Sequence, residues 1–430
     1  MSPLSLLSLL SLLSLLSLLS LLSLLSLLSL WSLETDMKLL VVCSSLDLQR
    51  PFSSTPAWWQ LLKGLYEVGV DLVVTAYQGR VPETLWWRSC GNPARLEGEA
   101  FARMRAAARK MRSPSSARGA DSSSNAPFSS SLTRRLAQLL IAPRWRGRLR
   151  GILRAEPGVD AVLMISVPPN HLRGVATALR REFRVQVLFY DGDVPASLPD
   201  HRGFATGFRI YDGANLGEFD AVLCNSVGGA ERLKALGAKA TYTLHYAADP
   251  EVYQPICRPQ DIDVFFYGHT REYREELLQM MITAPSEALR EARFAVRGRR
   301  LGELGRAETV PYLSFSRLRD YIARSKLNLV ITRQAHASVY GSSSMRPFEL
   351  AMMGACMVSG PYLGIEEWFE PGKELILVNS AEEAIDRYRF LLAHETERKA
   401  IGGAARERAL AEHTYRRRAE QLVEIIKERL

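Results

Sequence analysis

The stretch that decides the fold is Met37-Lys38-Leu39-Leu40-Val41-Val42-Cys43, answered after one helical stretch (57–68) by Val70-Asp71-Leu72-Val73-Val74-Thr75-Ala76. Apolar runs of this kind, with little polar alternation, are buried on both faces, as parallel strands are when helices cover both sides of their sheet. The polar loop between the first run and the helix carries Pro51 and Pro56, so the order is β-loop-α-β. Similar runs recur at 161–167, 185–190, 221–225 and 240–245, with helical stretches at 172–183 and 229–236. The pattern predicts a Rossmann-like α/β domain.

A polar linker over 254–262, containing Pro255 and Pro259, leads into a second alternating block. There the pattern predicts a strand at 263–267, a tight turn at Gly268 and a helix at 272–281. The run 293–297 follows, then a helix at 318–325 and a strand at 327–332. A helix at 347–354, the short run 356–359, a strand at 375–378 and two closing helices complete it. Two Rossmann-like halves joined by a linker enclose a cleft, and ligands of such sheets sit outside the carboxyl ends of the strands.

The chain has 430 residues, 47% hydrophobic and 23% charged, which suits a multidomain globular protein and excludes a collagen-like or wholly disordered one. Its five cysteines (Cys43, Cys90, Cys224, Cys257 and Cys356) form no C-x-x-C pair, so neither a zinc cage nor a disulfide framework follows from spacing. A reducing cytoplasm is the expected compartment. The formal net charge is +9, but residues 101–156 carry thirteen Lys/Arg against Asp121 and Glu156, a local +11 that leaves the rest at −2. Basicity confined to one segment argues against a generic nucleic-acid-binding face.

That segment is an insertion of about 98–156 in the first domain: a basic helix at 98–111, a Ser/Gly/Ala-rich stretch at 113–131 and an Arg-rich helix at 133–154. Leu136, Leu139, Leu140, Trp145, Leu149, Ile152 and Leu153 recur in the last helix at near-helical spacing. It reads as a helix covering the core with a solvated basic face, or as a peripheral contact to anionic headgroups or another acidic surface. Residues 2–33 are a tandem Ser-Leu-Leu repeat. A three-residue period on a helix leaves no fixed polar face, so 1–36 is expected to be a low-complexity leader outside the fold, either translated from upstream of a start at Met37 or a membrane anchor. The expected divisions are therefore 1–36, an N-terminal domain at 37–256, a C-terminal domain at 257–414 and a last helix at 415–430 crossing back to the first domain.

No P-loop, G-x-S-x-G, H-E-x-x-H or G-x-G-x-x-G occurs. The informative stretch is Ser342-Ser343-Ser344-Met345-Arg346-Pro347-Phe348-Glu349-Leu350-Ala351-Met352-Met353-Gly354-Ala355, in which small polar residues lead into a helix. A helix start with free N–H groups and an arginine suits a phosphate, and Glu349 one turn further in suits the hydroxyls of a ribose. The serines equally suit a helix cap, with Glu349 complementing the helix dipole. Acid/base candidates are Asp191 and Asp193, just after a strand, where they either face the cleft or cap a turn with Gly192 and Pro195. His245, His269 and His336 also lie at strand ends.

These residues resemble a family. From Asp263 onward the chain looks like the C-terminal domain of GT-B glycosyltransferases, in particular the CgeB/YkvP-like, spore-coat-type branch. The resemblance rests on Gly268 with Arg274, the run 327–333, then Ser344, Arg346, Phe348, Glu349 and Gly354, and on Phe369-Glu370-Pro371-Gly372-Lys373-Glu374. Asp191-Gly192-Asp193-Val194-Pro195, Asn225-Ser226 and the run 247–255 add to it in the first half. It implies a GT-B fold and a metal-independent glycosyltransferase without a cofactor, taking a nucleotide-diphosphate sugar as donor and a glycan, protein or lipid as acceptor. It further implies that Gly268 lines the turn facing the donor diphosphate, that Arg271 or Arg274 neutralises it, and that Glu349 holds the ribose; Ser344 and Arg346 join the nucleotide-binding candidates from their place at the helix start. Many retaining members carry a second Glu eight residues before the ribose-binding one, where this chain has Gly341. That departure leaves a non-catalytic nucleotide-sugar-binding protein as the alternative.

Overall fold

The structure, a computed structural model, describes residues 37–46, 57–93, 134–135, 137–201, 209–268, 273–298, 301–311 and 315–429. The leader 1–36, most of the basic insertion, Leu136, His269 and Arg271 lie outside the described residues.

Among the described residues two separate parallel sheets form. The first joins β1 (Lys38–Ser45), β2 (Asp71–Gln78), β3 (Arg88–Ser89), β4 (Ala161–Ile165), β5 (Gln186–Asp191), β6 (Ala221–Cys224) and β7 (Thr241–Thr243) in the order β3-β2-β1-β4-β5-β6-β7. The helices α1 (Ala57–Glu67), α2 (Ala142–Ala155), α3 (Val175–Phe183) and α4 (Val227–Ala235) connect them. The second joins β8 (Ile262–Tyr267), β9 (Phe294–Arg297), β10 (Glu308–Val310), β11 (Ser325–Val330), β12 (Met357–Ser359) and β13 (Ile376–Leu377) in the order β10-β9-β8-β11-β12-β13. Its helices include α5 (Phe315–Ala323), α6 (Met345–Met352), α7 (Ala381–Ala393) and α8 (Glu395–Glu412), and α9 (Tyr415–Lys427) ends the chain.

The two-sided burial read from the sequence is explicit in β1. Leu40 and Val42 pack with Trp145, Leu149 and Leu179 of α2 and α3. Leu39, Val41 and Cys43 face the opposite layer with Leu61, Leu62 and Leu65 of α1. β1 thus feeds two cores, and a polar residue on either face would be stranded in one of them.

Two helices differ from expectation in the same way. The stretch expected as one helix at 133–154 contains a π-helical turn at Ala137–Ile141 before α2, and the one at 272–281 becomes Glu275–Leu278, a π turn at Gln279–Thr283 and Ala284–Ala288. In both, the π turn runs into an Ala-Pro pair, Ala142-Pro143 and Ala284-Pro285. A proline cannot donate to the carbonyl four residues back, so the preceding turn widens to five-residue bonds.

The last helix belongs to the first sheet. Tyr415, Ala419, Leu422, Val423 and Ile426 of α9 are buried in the same layer as α1. At Gly64 of α1 an added Cβ would lie 2.5 Å from the Tyr415 carbonyl oxygen, so only glycine permits this approach. The chain therefore crosses between halves twice, at 247–255 and at 413–415, and the crossings are stitched: Ala248 N–H donates to the His413 carbonyl at 3.1 Å, and Arg418 Nε to that of His245 at 3.0 Å. Among the described residues no helix is long and apolar enough to span a membrane.

Candidate active site

The carboxyl ends of both sheets face one cleft, and β5 delivers the acid-bearing loop to it. Asp191, its last residue, is only 1% exposed. One carboxylate oxygen accepts from Ser197 Oγ at 2.5 Å and from the Tyr211 hydroxyl at 2.6 Å, and the other from Asp193 N–H at 2.9 Å. Burial pushes its pKa up, and these three donors pull against it. Asp191 thus ties down the loop that carries Asp193. Gly192 between them lies under Trp58 and Tyr246: an added Cβ would come within 2.5 Å of both, and the Tyr246 hydroxyl donates to the Gly192 carbonyl at 2.6 Å. Asp193 is left partly exposed, in a short ion pair with Arg333 of the other half.

Arg333 follows β11 and opens the short helix Gln334–Ser338. Its Nη2 lies 3.5 Å from His336 Nε2, and the Gln334 N–H donates to the Tyr273 carbonyl at 3.0 Å, drawing the loop of Arg274 to the same place. His336 is 2% exposed, and burial, followed by the charges of Arg333, Arg274 and His201, drives its pKa well below the ordinary histidine value. A neutral imidazole beside two guanidinium groups adds no further positive charge.

The serine-rich turn forms the contact between the halves. Ser226 and Ser342 make a β-bridge with their hydroxyls 2.7 Å apart, and Asn225 Nδ2 donates to the Ser343 carbonyl at 2.7 Å. Tyr246 N–H donates to Ser343 Oγ at 3.0 Å. The first N–H groups of α4 are spent here too: Val227 N donates to the Gly341 carbonyl at 3.2 Å and Gly228 N to that of Tyr340 at 3.0 Å. Gly341 itself has φ +56°, and a Cβ there would lie 2.7 Å from Val227 Cγ2. The backbone and its neighbour together exclude a carboxylate side chain at that position.

On the donor side, Gly268 follows β8, with its N–H donating to the Arg297 carbonyl at 2.8 Å and its carbonyl accepting from Arg297 Nη1 at 3.3 Å. Ser344 occupies the N-cap of α6, but its side chain makes no cap hydrogen bond. Arg346 turns inward, with Nη1 on the Ile331 carbonyl at 2.6 Å and its guanidinium 5.1 Å and 4.9 Å from the Phe266 and Tyr267 rings. Glu349 is 3% exposed and accepts from the Tyr253 hydroxyl at 2.6 Å and the Tyr267 hydroxyl at 2.8 Å. Burial raises its pKa against those two donors. The structure therefore groups Asp193, Arg333, His336 and Arg274 at the cleft, and sets Arg346 and Glu349 one layer deeper. Arg333, Tyr246 and Trp58 are the residues that sequence reasoning missed. An arginine soon after an apolar strand, at the carboxyl edge of a parallel sheet, is the signal that could have found the first.

Residues 274–424 match the family model described as glycosyl transferase-like. Sucrose-phosphate synthase from Thermosynechococcus elongatus superposes with a TM-score of 0.60 at 12% identity, covering 91% of this chain and 99% of that one. HepE of Anabaena, solved in complex with UDP-glucose, gives 0.58 at 13% identity, covering 91% and 100%. The α,α-trehalose 6-phosphate synthase of Burkholderia multivorans gives 0.56 at 12% identity, covering 91% and 98%. The fold is GT-B. At such identities the likeness is one of architecture, and no curated protein sequence matches the chain. In this GT-B molecule the Asp193–Arg333 pair bridges the two halves of the cleft.

Proposed function

We propose that the chain is a glycosyltransferase that moves a sugar from a nucleoside-diphosphate sugar to an acceptor hydroxyl. The observation that carries this reading is the meeting of Arg333, Arg274 and neutral His336 with one accessible acid, Asp193, across a GT-B cleft. A guanidinium offers a planar fork that matches phosphate. The donor diphosphate takes Arg333 from Asp193, and the freed carboxylate accepts the proton of the acceptor hydroxyl. The bond from the anomeric carbon to the phosphate oxygen breaks, and its electron pair leaves with the nucleoside diphosphate. The acceptor oxygen forms the new bond to that carbon. Arginine and backbone N–H groups meet the charge on the leaving group, so this chemistry requires no metal and no cofactor.

In this reading Gly268, Ser344 and Arg274, with Arg271 beyond the described residues, adjoin the diphosphate. Glu349 receives the ribose when Tyr253 or Tyr267 yields a carboxylate oxygen, and Arg346 holds the end of β11 in place beneath it. The C-terminal motif supports the CgeB-like branch and a role in cell-envelope or spore-coat glycosylation. Free thiols at all five cysteines suit the cytoplasm. UDP-glucose, present in the HepE structure, is the first donor to try.

The test is release of nucleoside diphosphate from a panel of nucleotide sugars by the full chain. Wild-type protein should release it from at least one donor, and Asp193→Asn should cut that rate by about a hundredfold or more. No release from any donor, or an unchanged rate in Asp193→Asn, contradicts the proposal.

A further inference from the structure

Where the two crossings between the halves run side by side, joined by a bridge between Ala248 and Thr414, they border a cavity of about 480 Å³. That is within the range of small-molecule sites. Its walls come from α1, from the loop 249–251 after the first crossing, from Leu410 near the end of α8 and from the first turns of α9. None of the residues placed at the cleft lines it.

Gln60 of α1, one of the lining residues, is 2% exposed. Its Oε1 accepts from the Asp249 N–H at 2.8 Å, which fixes the oxygen end of the amide. Nε2 is then a buried donor without a partner among the described residues, and such a donor costs free energy until something accepts from it. Lys63 Nζ meets Glu67, Asp249 and Glu251 at 2.5, 2.9 and 3.0 Å, so its three protons are spent. Those contacts use one oxygen each of Glu67 and Glu251, and among the described residues the other oxygen of each accepts nothing. On α9 the Arg416 and Arg417 guanidiniums share Glu420, at 3.5 Å and 3.1 Å, and keep further N–H groups unspent.

The charges of the lining nearly cancel, with four acids against three bases. A simple anion there meets the carboxylates, and a simple cation meets the lysine and both arginines. What is left over is hydrogen-bonding capacity of both kinds, donors and acceptors, beside the apolar surfaces of Leu410 and Pro250. A hydroxyl both donates and accepts, and a sugar ring carries several of them around apolar C–H faces.

We infer that this cavity binds an uncharged carbohydrate. Its hydroxyls accept from Gln60 Nε2 and the arginines and donate to Glu67 and Glu251, while a C–H face rests on Leu410 and Pro250. Because the walls belong to both halves and both crossings, the bound sugar fastens α1 to α9 and to the end of α8, apart from the reacting groups. The inference stands on this cavity and does not depend on the transfer chemistry.

The experiment is titration of the full chain with glucose, galactose, mannose, maltose and lactose at millimolar concentrations, followed by ligand-observed NMR and by thermal melts, with glycine and inorganic phosphate as charged controls. At least one sugar should bind and raise the melting temperature. Arg417→Ala and Glu251→Gln, both at exposed side chains, should each weaken that sugar by roughly three- to tenfold. Gln60→Glu keeps the oxygen that accepts from Asp249 and removes the donor, so it should weaken the sugar at least as much. Binding that Asp193→Asn weakens and that Arg417→Ala and Glu251→Gln leave intact belongs to the cleft and overturns the inference. Preference for glycine or phosphate over every sugar overturns the uncharged ligand. No binding by any of the sugars leaves the cavity to water and overturns it as well.

Discussion

Gly341 shows how one residue constrains the whole site. Its positive φ and the nearby Val227 methyl leave no room for a side chain, and its carbonyl caps α4 of the other half. Gly341→Ala should therefore destabilise the protein by about 1–3 kcal/mol, read from denaturant unfolding, with loss at the contact between the halves. A variant as stable as wild type would show that the turn relaxes freely. Arg346 presents a different case. Its guanidinium donates to a buried carbonyl and stacks on two aromatic rings, so Arg346→Ala should lower stability by about 1.5–3 kcal/mol as well as weakening nucleotide binding. A pure loss of affinity at unchanged melting temperature would place its guanidinium in the cleft instead. His413 sits where both crossings meet, with Nδ1 accepting from Arg418 at 2.9 Å and Nε2 on the Trp368 carbonyl at 3.0 Å. An arginine only donates, so the imidazole is neutral with its proton on Nε2. Burial, reinforced by Arg418, lowers its pKa to about 3, and burial lowers that of His245 to about 4. The unfolded chain binds these protons below a pH of about 6.5 and the folded chain does not, so stability falls as pH drops through that range, by up to about 1.4 kcal/mol per pH unit for each histidine. Chemical denaturation at stepped pH should show this loss, with a smaller slope in His413→Gln. Equal slopes would mean that His413 takes up its proton without strain.

At the scale of elements, α9 carries the clearest expectation. It leaves the second half to complete the core of the first, and Leu422 within it is fully buried. Leu422→Ala should cost about 2–5 kcal/mol, and a thermal melt should show the two halves losing stability together, because the same helix ties them. A melt that splits, with the first half falling alone, would contradict that coupling. Which elements were legible follows from the same physics. The strands β1, β2, β4, β5, β6, β8 and β11 announce themselves because each feeds two cores and so reads as a continuous apolar run. The short edge strands β3 and β10, Arg88–Ser89 and Glu308–Val310, are polar and bury little, so composition gives no sign of them. The π turns hide because their apolar spacing is nearly helical, and only the downstream Ala-Pro pairs betray them.

At the scale of the molecule, two Rossmann-like sheets set face to face were readable from periodicity, but the juxtapositions across their cleft were not. Asp193 could be picked out as an acid after a strand, yet its partner Arg333 is 140 residues away, and no local pattern links them. Asp191 looked equivalent to Asp193 in sequence, and only packing by Ser197 and Tyr211 separates a buried anchor from an accessible acid. The central claim is that Arg333 passes from Asp193 to the diphosphate of a donor. Calorimetric titration of the full chain with UDP and UMP, in wild type, Arg333→Ala and Asp193→Asn, tests it most directly. The account predicts that wild type prefers the diphosphate, that Arg333→Ala weakens UDP by about ten- to a hundredfold, and that Asp193→Asn binds it as tightly as wild type or more so. Equal weakening by both substitutions, or an Arg333→Ala variant that binds UDP like wild type, would contradict it.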